Sequence, residues 1–278
     1  VDVITCIDVR SERLRRALER RGHRTFGFAG FFGVALEYQA SPDLTAQLCP
    51  ALLAPTHHVR ATSAGSNWRL PMKRATGALN GLPVTPLVLA ELGGLVAALG
   101  TLLQTAFPHT WQRINQRWTK PSHAERVDSL SVAQAVQVVE QTLRAIGLVK
   151  DFSPLLVVCG HGATVENNPF STGYDCGACG GNAGGVNAEV FVRCFNDPHV
   201  RDELAFRGIV IPRGTVAVAA LHNTTTDDVQ LLSSVPGESP LVEAFIDDCL
   251  QARSDVLAER ARMWPGSAEG QPVAKDKR

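Results

Sequence analysis

Short apolar runs alternate along this chain with longer stretches whose apolar residues recur every three or four positions. The first pattern marks strands buried on both faces, and the second marks amphipathic helices. The alternation therefore predicts an α/β fold with a mostly parallel sheet flanked by helices. Val1–Thr5 is the first such strand and ends at Cys6-Ile7-Asp8-Val9-Arg10. Ser11 is placed to cap a helix over Glu12–Arg21 that Gly22 closes, and Thr25–Phe32 follows as a strand and turn. Within Ser131–Leu148, the residues Val132, Ala135, Val136, Val139, Leu143 and Ile146 fall at helical spacing. Leu155–Val158 is a second buried strand, ending at Cys159-Gly160-His161-Gly162. Val186–Phe195 and Pro198–Arg207 read as helices and Val216–Leu221 as a strand. Pro240–Arg262 closes the fold as a helix with acids early and bases late, which suits its dipole.

Between these elements the pattern breaks down. Residues 41–82 contain Pro42, Pro50, Pro55, Gly65, Pro71, Gly77 and Gly81 and read as irregular. His57 and His58 lie there; adjacent side chains point apart, so they read as structural or surface groups. Residues 86–107 are the most apolar stretch and are long enough to cross a bilayer if wholly helical. Glu91, Gln104 and the Gly93-Gly94 pair favour a buried or interface helix instead, with contact to a membrane partner as the second reading. We expect one domain over 1–262 with a helical insertion at about 83–148, and a disordered tail over 263–278. There is no starting Met, and a candidate ligand stands at position 6, which suggests a piece of a longer chain.

Composition narrows the function classes. Lys plus Arg and Asp plus Glu are 27 each, and the basic residues are scattered, which argues against a nucleic-acid partner. The arginine run over 13–24 reads as the solvated face of a helix. Seven cysteines in a chain of 278 residues suit a reducing cytosolic setting, where clustered Cys and His point to metal or catalysis rather than cross-links.

Cys6 and His161 end two predicted strands, and the glycine-rich loop after His161 supplies Cys176 and Cys179. Zinc takes sulfur and nitrogen donors in a tetrahedral array, and a catalytic zinc keeps three protein ligands and one open position. Cys6, His161 and Cys176 form one such set; Cys179 competes with Cys176 on spacing alone. Cys176 and Cys179 together with Cys6 or His161 would make a closed structural site instead. Asp8 beside Arg10 forms a carboxylate–guanidinium pair next to this set. A phosphate-binding loop is disfavoured, because no Gly-Lys-Ser/Thr follows the glycines.

Three stretches resemble the DabA family of inorganic carbon transporter subunits. They are Cys6-Ile7-Asp8-Val9-Arg10-Ser11-Glu12, then Gly160-His161-Gly162 with Asn167-Asn168-Pro169 and Tyr174–Gly181, then Leu221–Asp227. The likeness spans most of 1–262. The family is similar to β-type carbonic anhydrases, which share Cys-x-Asp-x-Arg but carry a later His-x-x-Cys; here Cys176 follows His161 by fifteen positions. The resemblance implies a β-carbonic-anhydrase-like core and a zinc ion on Cys6, His161 and Cys176. Asp8 would be its switchable fourth ligand or water-activating group, and Arg10 the partner of Asp8. It further implies a peripheral protein on the cytoplasmic face of the inner membrane. Its partner would be a membrane-embedded subunit (DabB) similar to the ion-translocating subunits of antiporters and respiratory complex I. Together they would take up CO2 or bicarbonate. A free-standing β-type carbonic anhydrase is the alternative.

Overall fold

The computed structural model describes residues 1–41, 44–60, 130–165, 170–233 and 239–263, with Glu91, Gly94, 98–103, 105–107 and Thr110 between. The chain forms two compact units, one of residues 1–61 with 124–278 and the other of residues 62–123.

The first unit is built on a five-stranded sheet. Its strands are β1 (Asp2–Cys6), β2 (Arg24–Phe28), β6 (Leu155–Gly162), β7 (Val216–Asn223) and β8 (Asp228–Leu231), in the order β2-β1-β6-β7-β8. The first four run parallel and β8 is antiparallel to β7. The β-branched run Val3-Ile4-Thr5 suits a strand covered on both sides. Alternate residues divide between two cores. Ile4, Leu156, Val158, Ala217 and Ala219 pack with helices α2 (Val132–Ala145), α3 (Gly185–Asn196) and α4 (Pro198–Phe206). Val3, Leu155, Val157, Val218 and Ala220 pack on the other face with α1 (Glu12–Glu19) and α5 (Pro240–Arg262). Truncating a fully buried strand residue such as Leu156 to Ala would cost about 2–5 kcal/mol.

Local signals set the helix starts. Ser131 and Gln134 form a reciprocal capping box at α2. Asp197 caps α4 by accepting from the His199 N–H, with Pro198 in its first turn. Ser11 departs from expectation: it precedes α1, but its hydroxyl makes no cap bond. The arginines around α1 are tied to acids. Arg21 pairs with Asp255 and Arg20 with Glu259 on α5, and Arg24 pairs with Asp2.

One prediction is corrected. The sequence predicts an irregular stretch over residues 41–82, but Leu44–Leu48 and His57–Arg60 are strands, β4 and β5, which join β3 (Leu36–Ser41) in a second sheet of order β4-β3-β5; residues 61–82 lie outside the described residues. Pro50 and Pro55 lie between β4 and β5 rather than inside them, so they punctuate the sheet without breaking it. Leu36, Leu48 and Val59 carry this sheet into the first core. His58 pairs with Glu37 on the neighbouring strand.

The expected insertion over 83–148 lies largely outside the described residues, and α2 belongs to the first unit. Residues 61–90 and the tail from Trp264 also lie outside them. Among the described residues no helix is long and apolar enough to cross a membrane.

Candidate metal centre

The sheet changes direction between β1 and β6. From β1 the chain moves to β2 on one side and returns to β6 on the other. The helices that follow, α1 and α3, cover opposite faces, so a crevice opens at the carboxyl ends of these two strands. Cys6 ends β1, and His161 stands one residue before the end of β6. Cys176 enters from the glycine-rich loop between two short 3-10 turns, Ser171–Tyr174 and Gly177–Cys179. Its N–H donates to the Asn182 carbonyl at 3.1 Å, which pins the loop. Gly160 lets that loop approach: a Cβ there would lie 2.5 Å from the Gly184 carbonyl oxygen.

The donor atoms of Cys6, His161 and Cys176 lie within 4.8 Å of one another, and all three residues are buried. The sulfurs of Cys6 and Cys176 are 3.9 Å apart. Two thiolates held about 2.3 Å from a tetrahedral zinc stand about 3.8 Å apart. His161 is 0% exposed, and neither of its ring nitrogens has a hydrogen-bond partner among the described residues. Leaving such a nitrogen unpaired costs about 1–3 kcal/mol, which a metal bond would offset. Gly30 provides room at the thiols, since a Cβ there would come 2.5 Å from Cys176 Sγ and 3.0 Å from Cys6 Sγ. Sulfur and imidazole donors with this spacing and these orphaned nitrogens fit a metal ion, and their chemistry suits zinc.

Without an ion the thiols hold their protons. The Cys6 thiol is pushed well above its ordinary range, first by its bond with Cys176 and then by burial, while His161 pulls the other way. Cys176 is pushed up to about 12, first by Cys179, although its bond with Cys6 acts in the opposite direction.

Asp8 and Arg10 lie in the turn beyond β1. Arg10 Nε and Nη2 donate to the two Asp8 oxygens, each at 2.8 Å, and the Arg10 N–H adds a third bond at 2.9 Å. This grip holds the Asp8 carboxyl at about 2. Asp8 Oδ2 stands 3.7 Å from His161 Nε2, beside the cluster and turned toward Arg10. Arg10 also donates to the Gly173 and Asp175 carbonyls, at 3.0 and 3.2 Å.

The structure thus brings together Cys6, His161 and Cys176, with Asp8 and Arg10 at their side. Cys179 is buried in the same thiol cluster but outside the set whose donor atoms are mutually within reach of one ion. Asn167, Asn168 and Pro169 lie outside the described residues. Gly30 and Asp175 are additions. Asp175 accepts the Ala163 N–H just beyond β6, and burial raises its carboxyl. Its place beside Cys176 was the available signal; Gly30 had none, because its role depends on a tertiary approach.

A family model described as "Probable inorganic carbon transporter subunit DabA" matches residues 1–278. A protein of that name from Geobacillus kaustophilus (strain HTA426) is 38% identical over 312 residues, covering 99% of this chain and 36% of the relative. One from Legionella pneumophila (strain Philadelphia 1) is 34% identical over 283 residues, covering 91% of this chain and 36% of its own. The "Probable inorganic carbon transporter subunit DabA2" of Halothiobacillus neapolitanus is 37% identical over 254 residues, covering 84% and 30%. The chain spans about a third of the length of these curated relatives. No solved structure matches it. From residue 1 to residue 278, this chain belongs to the DabA family of inorganic carbon transporter subunits.

Proposed function

We propose that this chain is the zinc-binding part of a subunit for energy-coupled uptake of inorganic carbon. In this reading it hydrates CO2 to bicarbonate, in one direction, at an ion held by Cys6, His161 and Cys176. A β-carbonic-anhydrase-like core and a peripheral seat on the cytoplasmic face of the membrane, against an ion-translocating partner, belong to the same proposal. The observation that carries it is the Asp8–Arg10 pair beside the donor cluster, with Asp8 Oδ2 at 3.7 Å from His161 Nε2.

A bound zinc ion supplies a Lewis acid that makes water a nucleophile near neutral pH. The chain's own residues do the rest. Cys6 and Cys176 would hold the ion as thiolates, and His161 as an imidazole ligand. Arg10 holds the Asp8 carboxylate ionised and drawn aside, so that water would keep access to an ion held there. Loss of that grip would free the Asp8 carboxylate to turn from Arg10 toward the donor cluster and block access there. Hydration of CO2 to bicarbonate releases one proton; its removal along the partner's ion gradient would set the direction, and a gate that opens only under the partner's control would keep the reaction tied to that removal. The gate is a two-state element, and the partner biases it by binding one state better.

The test pairs two measurements. Stopped-flow CO2 hydration by the zinc-loaded protein should be slow without its membrane partner; fast turnover by the chain alone would favour a free-standing β-type carbonic anhydrase. Asp8→Ala should abolish carbon uptake in cells while zinc content stays at the wild-type level, and normal uptake would overturn the gate. A closed structural site is the second reading, favoured by the burial of Cys179 in the same thiol cluster.

A further inference from the structure

The end of β7 and the turn after it form a segment that the proposed chemistry leaves unused. His222 and Asp227 there are 1% and 0% exposed. A carboxylate only accepts, so His222 Nε2 donates to Asp227 Oδ1 at 3.2 Å. Nδ1 is then an acceptor, and it takes the Ser11 hydroxyl at 3.3 Å. Arg260 of α5 closes the far end, with Nη1 2.9 Å from Asp227 Oδ2 and Nη2 donating to the Thr224 carbonyl at 3.2 Å. The result is one buried, charge-assisted line from α1 through β7 to α5.

Serine, histidine and aspartate in a row suggest a hydrolase only by composition. Ser11 is 3% exposed, so its hydroxyl faces protein and not a substrate. The line acts as a fastening. Ser11 follows Arg10 directly, and its N–H donates to the Asp8 carbonyl at 2.9 Å. Its hydroxyl has forgone the helix cap for His222. The same turn fastens the other half of the centre. Thr224 N and Oγ1 both donate to the Gly162 carbonyl, at 2.9 and 3.2 Å, one residue beyond His161. Thr225 Oγ1 donates to the Thr164 carbonyl at 2.9 Å. In the β6–β7 ladder His161 and His222 are register partners.

We propose that the 222–227 turn is the frame of the metal centre, and that His222 is a positioning residue. Through Ser11 it sets how far the Cys6–Arg10 segment stands from His161. This rests on the reading that Cys6, His161 and Cys176 hold a metal. Outer partners of a metal site change its affinity by about 10- to 100-fold when removed.

The test uses Ser11→Ala, His222→Phe and His222→Gln in the full chain, with cobalt(II) as the probe. Ser11→Ala and His222→Phe should bind cobalt about tenfold or more weakly and shift its visible absorption bands. His222→Gln should recover part of the affinity. A second arm, without metal, follows amide exchange at Ile7 and Ser11, whose N–H groups bond the Phe28 and Asp8 carbonyls. It should accelerate about tenfold in the same two variants while α3 stays protected. Wild-type affinity, spectrum and exchange in both would overturn the proposal. If the wild-type chain binds no cobalt, the metal reading fails and the exchange arm alone decides the frame. If His222→Phe does not fold, Ser11→Ala decides, since it removes a single hydroxyl.

Discussion

Arg10 grips both oxygens of Asp8 and, with the same guanidinium, reaches the Gly173 and Asp175 carbonyls of the loop that carries Cys176. One side chain therefore joins a carboxylate beside the donor cluster to the segment bearing one of its thiols. Whatever loosens Arg10 frees Asp8 and slackens the Cys176 loop together.

The Asp8 titration should report this grip. Arg10 lowers the folded carboxyl to about 2, so the pair's stabilisation is fully present above the ordinary carboxylate range. It is lost as pH falls through about 2. In Arg10→Ala the Asp8 carboxyl should move up toward about 4, the value of an unpaired aspartate. Carbon-13 NMR of labelled Asp8 measures it; an unmoved midpoint would show that Arg10 does not set it.

Zinc stoichiometry separates the two candidate ligand sets. Cys6→Ala, His161→Ala and Cys176→Ser should each lose the ion, while Cys179→Ser retains about one per chain, as a three-ligand site requires. Metal analysis of the purified variants decides. Loss of zinc in Cys179→Ser would turn the centre into a closed structural site. Uptake should also expel protons, because both cluster thiols are raised in the metal-free chain.

Gly30→Ala should weaken metal binding by filling the space at the thiols, where its Cβ would stand 2.5 Å from Cys176 Sγ. The loss should be at least tenfold in dissociation constant if the sulfurs part by a few tenths of an ångström, the tolerance of a coordination shell. A competition titration against a zinc chelator measures it, and wild-type affinity would mean that the thiols shift freely.

A stability test lies at the other end of β1. The buried Asp2 carboxylate accepts from Arg24 Nε and Nη2 and from Ser153 N and Oγ, at 2.7–2.9 Å. Asp2→Ala leaves these donors without their acceptor and should cost about 3 kcal/mol in denaturant unfolding. A change below about 1 kcal/mol would show that water replaces the carboxylate readily.

Much of the fold was legible because its signals are local. β1, β6 and β7 each carry a marked apolar run, α2 carries its own capping box, and Cys6 and His161 lie at the ends of strands that the sequence marks out. What escaped was set by distant partners. β4 and β5 are short and separated by prolines, so their pairing with β3 leaves no local trace. β8 is a half-buried edge strand of four residues. Ser11 has the right type and place for a helix cap, but a tertiary partner, His222, took its hydroxyl. The Leu221–Asp227 stretch was visible as a resemblance while its work remained hidden, because that work is holding two other segments.

The donors also lie far apart along the chain. Cys6 and Cys176 are 170 positions apart yet their sulfurs meet at 3.9 Å. An ion shared between them would close a loop that takes in α1, β2, the second sheet, α2 and β6, much as a disulfide would, without an oxidant. Such a bond removes more freedom from the unfolded chain the longer the loop it closes. Metal supply would then govern how long the folded subunit survives as well as what it does, and a chain made in zinc-poor conditions would be lost to unfolding before it was missed as a catalyst.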